Sequence, residues 1–207
     1  MTNIHYFYDP MCGWCYGASS LIQAIEENPN LNLIFHPGGM IEKSALSEHF
    51  KQHILAADPR IAALTGVKFG ENYTTRLRTS NEFVVDSMLT TKAILCAQQL
   101  GVSSYKMLKA IQQAHYVQGL EVYKLEELHK LVQQFDIDDS KWLELMASEE
   151  TERLLDETIN QSHLLMRELH VSGYPTLIAE REDSLMKLPH EQHYGRINDW
   201  KSYLTSI

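Results

Sequence analysis

Hydrophobic and polar positions along the chain fall into three stretches. Ile4 to Tyr8 is a short run of β-branched and aromatic residues closed by Asp9-Pro10, which predicts a strand entering a turn. Ala18, Leu21, Ile22 and Ile25 then recur at steps of three and four, predicting a helix that Asn28-Pro29-Asn30 ends. Leu31 to Phe35 is nearly all apolar, as a buried parallel strand would be, and stops at His36-Pro37-Gly38-Gly39. The opening therefore spells β-α-β.

From Ile41 to about His170 the period is helical throughout. Asp86 or Ser87 can cap a helix with Leu89, Ala93, Cys96, Ala97 and Leu100 on one face, and Gly101 stops it. Ser103 or Ser104 opens another that ends at Gly119, and a third spans roughly Lys124 to Phe135. Trp142 begins more helix, and a long amphipathic one from about Glu149 carries Leu154, Leu155, Ile159, Leu165, Met166 and Leu169. After Val171-Ser172-Gly173-Tyr174-Pro175 the strand pattern returns at Thr176 to Ala179. A charged turn over Glu180 to Asp183, a run from Ser184 to Leu188 and a helix near Ile197 to Leu204 follow. The ending is β-β-α. The chain thus reads as an α/β fold, residues 1–40 with 171–207, interrupted by a helical insertion over 41–170.

Composition narrows the classes of function. Lys and Arg number 18 against 27 Asp and Glu, a net charge of -9 that argues against a nucleic-acid partner and against a polybasic membrane patch. No apolar run approaches the roughly 18 residues a membrane span needs. No Lys or Arg precedes Lys43, and Met1 to Tyr8 is too short and polar for a signal core, so the expected location is cytoplasmic. Three cysteines cannot make a disulfide framework, so the apolar core alone must hold the fold.

Two of those cysteines form Cys12-Gly13-Trp14-Cys15, just after a strand and at the first turn of a helix. Free N–H groups and the positive end of the helix dipole favour a thiolate at Cys12, while Cys15 lies one turn on and shielded. That geometry suits one nucleophile and one resolving thiol. The same spacing serves zinc, but zinc needs two further ligands and Cys96 is the only other cysteine, so redox chemistry is favoured and no metal is assigned. Gly173-Tyr174-Pro175-Thr176 adds a proline immediately before a strand, where a cis bond can be held, although a trans proline is the commoner case taken alone.

The order strand, Cys-x-x-Cys helix, strand, then proline before β-β-α resembles the thioredoxin fold. Residues 9 to 17, Asp-Pro-Met-Cys-Gly-Trp-Cys-Tyr-Gly, resemble the DsbA-like oxidoreductases and within them the cytosolic FrnE-like branch. The resemblance implies a thiol-disulfide oxidoreductase or disulfide isomerase whose redox-active disulfide is Cys12–Cys15 and which needs no bound cofactor. It implies a cis Pro175 facing the cysteines, with the Tyr174 backbone free to pair with an extended substrate. Periplasmic members usually carry Pro-His where Gly13-Trp14 stands, so the chemistry is implied but not its direction. Related glutathione-dependent isomerases and transferases carry Ser at the position of Cys12. Glutathione is a candidate co-substrate, and the expected partners are protein or small-molecule thiols and disulfides.

Gly13, Trp14 and Tyr174 are the expected substrate contacts, with Trp14 covering the mouth of the site rather than filling the core. His5 and His36 sit at the start and the end of neighbouring strands, where either could tune the thiolate, though solvated or capped histidines are the plainer reading. Cys96 is expected to be a small buried hydrophobe. Two other functions stay open: a polypeptide-binding module without turnover, and a glutathione-dependent isomerase or transferase. The inserted helices are expected to roof the Cys12 face.

Overall fold

The computed structural model describes residues 1–181 and 184–207. The opening strand β1 (Thr2–Tyr8) leads into α1 (Gly13–Gly17) and α2 (Ser19–Glu26), which are separated by Ala18, and then into β2 (Leu31–Pro37). The single helix expected from the period is thus two. At the other end, β5 (Thr176–Arg181) and β6 (Ser184–Lys187) precede a 3-10 turn at His190–His193 and α10 (Ile197–Leu204). The turn expected over Glu180–Asp183 lies partly outside the described residues. The four strands form one sheet in the order β2-β1-β5-β6, with β1 and β2 parallel and the other two pairings antiparallel.

Between these halves run β3 (Ser44–Ala45), α3 (Glu48–Thr65), α4 (Glu71–Thr79), β4 (Val84–Val85), α5 (Ser87–Gln99), α6 (Ser104–Tyr116), α7 (Leu125–Val132), α8 (Asp139–Ala147) and α9 (Glu149–Glu168). The two-residue strands pair with each other and leave no periodic trace in the sequence. Caps follow local chemistry. Asp86 accepts the Leu89 N–H at the start of α5, Asp138 accepts from Ser140 and Lys141 at α8, and Ser148 accepts from Thr151 at α9.

Strand alternation sends Ile4, Tyr6 and Tyr8 of β1 into the main core with α2, α5, α6 and Trp200 of α10. Phe7 and Ile178 point the other way and pack on Met166 of α9. Both faces of the sheet are apolar, so both need a cover. The expected roof over Cys12 is therefore only part of the insertion: α3 packs on α1, whereas α9 covers the opposite face. Gly17 makes the α1–α3 approach possible, since a Cβ there would stand 2.8 Å from Ile61 Cγ2.

Candidate active site

The site is built where β1 ends. Asp9, fully buried, folds the connection to α1: its Oδ1 accepts the Met11 N–H at 2.8 Å and the Ser87 hydroxyl at 2.8 Å, and its Oδ2 accepts the Met40 N–H at 2.7 Å. One carboxylate thus ties the loop before the cysteines to the end of β2 and to the start of α5. Burial raises its carboxyl above the usual range, against the pull of the three hydrogen bonds. Sequence reasoning took Asp9-Pro10 only as a turn, because the donors lie 31 and 78 residues away along the chain.

Cys12 is the N-cap of α1, and its Sγ accepts the Cys15 N–H at 3.4 Å. The same sulfur lies 3.5 Å from the Tyr174 carbonyl oxygen, to which its S–H donates. The Tyr174–Pro175 peptide bond is cis. The two thiols are unpaired and differ in access: Cys12 keeps 8% of its surface and Cys15 none. Burial pushes the Cys15 thiol well above its ordinary range, with Cys12 and the nearby Asp9 charge adding to the shift.

Two pockets lie beside the cysteine turn, and the first is lined by Cys12 itself. One, of about 300 Å³, runs from Cys12, Gly13 and Trp14 under α3, and among its walls are His53, Asp58, Tyr73 and His115. The other, of about 370 Å³, lies between Trp14, Tyr174, Pro175 and Tyr194, with Arg60 and Glu191 at its rim. Trp14 is half-buried and stacks on Tyr194 at 5.9 Å between centroids. Tyr174 rests on Gly38, where a Cβ would meet its ring at 2.3 Å. The structure therefore brings Cys12, Cys15, Gly13, Trp14, Tyr174 and Pro175 to one place.

The remaining candidates lie elsewhere or serve packing. His5 Nδ1 and His36 Nε2 are 2.8 Å apart, and His5 Nε2 faces Glu180 at 3.3 Å. His36 stacks on Phe7, on the face away from α1, and burial followed by His5 lowers it to about 4. Among the described residues neither histidine hydrogen-bonds a cysteine. Cys96 is fully buried and its thiol is raised by burial to about 11. Among the described residues no group of three or more His, Cys, Asp or Glu could hold a metal, and no helix is long and apolar enough to cross a membrane. Asp58 carries no motif and was missed.

The family model for the DSBA-like thioredoxin domain matches residues 3–192. The chain belongs to this family, and it is a thiol-disulfide oxidoreductase. The cytosolic disulfide reductase DsbM from Pseudomonas aeruginosa is 33% identical, with 99% of this chain and 97% of that one covered and a TM-score of 0.90. The same reductase solved with GSH gives 32% identity, coverage of 99% and 98%, and a TM-score of 0.86. A 2-hydroxychromene-2-carboxylate isomerase, at 17% identity, coverage of 98% and 96% and a TM-score of 0.63, shares the fold alone. No curated protein sequence matches the chain. The resemblance seen in residues 9 to 17 and the expected fold class are borne out.

Proposed function

We propose that this oxidoreductase is a cytoplasmic disulfide reductase in which Cys12 attacks and Cys15 resolves. In that reading the reduced pair meets a substrate disulfide, Cys12 forms the mixed disulfide, and Cys15 displaces it to close Cys12–Cys15 and release the second thiol. Residues 1–40 and 171–207 make the thioredoxin-like unit, and 41–170 the insertion that lends it pocket walls. The observation that carries the assignment of roles is the asymmetry at the sulfurs: Cys12 alone retains access, on the wall of the first pocket, with a backbone N–H already directed at its Sγ. Beside it Pro175 and the Tyr174 backbone offer an edge for an extended substrate, while Gly13 and Trp14 line the mouth.

Glutathione fits as the co-substrate. Arg60 and Glu191 put opposite charges at the rim of the second pocket, suited to a carboxylate and an ammonium on one short peptide. The related DsbM has been solved with GSH. A polypeptide-binding module without turnover would give no reason for the difference in access between the two thiols.

Trapping tests the roles. Cys15→Ser should accumulate reductant-sensitive mixed disulfides, with protein partners or with glutathione, because attack proceeds and resolution does not. Cys12→Ser should trap almost nothing, and Cys96→Ser should keep turnover. Equal trapping by Cys12→Ser and Cys15→Ser, or loss of turnover in Cys96→Ser, would overturn the assignment.

A further inference from the structure

We propose that Asp58, handed to the Cys12 pocket by helix α3 of the insertion, is a catalytic acid that protonates the thiol departing from the substrate disulfide. The proposal rests on the reading of Cys12 as the nucleophile.

Asp58 is 4% exposed and lines the same pocket as Cys12. Its Oδ2 is held by the Tyr73 hydroxyl at 3.1 Å. Its Oδ1 stands 3.5 Å from where a Cβ on Gly13 would be, so the absence of a side chain at Gly13 leaves the way between the cysteine turn and the carboxyl open. Among the described residues no ion pair involves Asp58. The titratable groups around it are His53 on α3, Tyr73 and Arg76 on α4, His115 and Tyr116 on α6, and Cys12 itself. His115 is buried with its Nδ1 unpartnered, and burial followed by Arg76 lowers it to about 3, so it adds no positive charge to the pocket. Burial raises the Asp58 carboxyl to about 7, which leaves it a proton to give near neutral pH.

The chemistry needs such a donor most when the leaving sulfur is basic. Cys12, as thiolate, attacks one sulfur of the disulfide; the Cys12–S bond forms as the substrate S–S bond breaks. The departing sulfur keeps the bonding pair and takes the Asp58 proton, leaving as a neutral thiol instead of an anion in an apolar cleft. Solvent, which received the Cys12 proton, returns one to the carboxylate. Cys15 then displaces the second thiol, so the dithiol is oxidised and the disulfide reduced to two thiols.

The experiment uses the full chain carrying Cys15→Ser, which isolates the first step, with and without Asp58→Asn. Three reagents report on Cys12: bis(2-hydroxyethyl) disulfide, whose leaving thiol is basic; dithiodipyridine, whose leaving group is not; and iodoacetamide, which releases iodide and takes no proton. Asp58→Asn should slow the first on the order of 10²-fold below neutral pH and leave the other two unchanged. With Asp58 in place, the hydroxyethyl disulfide rate per Cys12 thiolate should fall above about pH 7, and Asp58→Asn should abolish that limb. Equal slowing of all three reagents, or of none, overturns the proposal while leaving Cys12 as nucleophile. Reaction of Cys12→Ser with all three at the parent rate would instead sink the underlying reading. Tyr73→Phe keeps the carboxyl but removes a donor to its charged form, so the limb should move to higher pH. If Asp58→Asn does not fold, an unmoved limb in Tyr73→Phe overturns the proposal.

Discussion

Asp9 and Asp58 are two carboxylates withdrawn from water within reach of one cysteine turn, and their surroundings could hardly differ more. Asp9 collects three donors from three separate segments and lines neither pocket beside the cysteine turn. Among the described residues Asp58 has one donor, the Tyr73 hydroxyl, and it borders a pocket. Depth of burial does not separate a structural acid from a reactive one; the number of satisfied lone pairs and the space beside them do.

The same substitution at the two positions should break that pair apart. Asp9→Asn turns an amide N–H₂ toward one of its buried donors, so two donors meet and one loses its acceptor. We expect a loss of about 2–3 kcal/mol in urea unfolding. Asp58→Asn keeps an oxygen for the Tyr73 hydroxyl and should cost no stability, gaining near neutral pH what the buried carboxyl gives up on ionising. If both variants lose the same stability, the contrast is wrong.

A comparable effect sharpens it through pH. The unfolded Asp58 carboxyl ionises near its ordinary 3.8, the folded one near 7, so between those values the native state holds the proton the unfolded state has lost. Stability therefore falls as pH rises from about 4 to 7, by up to roughly 2–4 kcal/mol, and levels off above. Subtracting the curve for Asp58→Asn from that of the parent should isolate this slope; parallel curves would remove the buried acid. The smallest change is expected from Gly13→Ala, whose Cβ would meet Ile61 Cδ1 at 3.2 Å and Asp58 Oδ1 at 3.5 Å. A shift of those side chains by a few tenths of an ångström accommodates it. Thermal melts should show less than about 1 kcal/mol of change.

The two ends of the chain were legible because their signals are local. Ile4 to Tyr8 and Thr176 to Ala179 announce strands by composition, and Cys12 to Cys15 carries its chemistry in four residues. The wall of the pocket was not. Helix α3 contains Pro59 directly after Asp58, a pair that reads as a turn inside the helix, and its apolar residues do not share one face: Ile61 is buried while Phe50 and Leu64 are exposed. Tertiary contacts override that local reading: Ile61 packs on α1 through the gap at Gly17 and is fully buried. Asp9 was visible as a residue and invisible as a junction, since nothing near it in sequence names Met40 or Ser87.

That junction has a bearing on modularity. The insertion enters the chain between two halves of a sheet, which invites the idea of a removable cassette. Yet Ser87 supplies one of the donors of Asp9, the His163 ring meets the Gly38 carbonyl at 2.7 Å, and Ile159 covers Gly39 where a Cβ would stand 2.7 Å away. Gly38 in turn is the floor beneath Tyr174. Excising 41–170 would withdraw these supports from both ends of the cysteine turn at once. The halves are separable on a diagram and interlocked in three dimensions, so a minimal version of this enzyme would have to be redesigned around its cysteine turn rather than cut out of the parent chain.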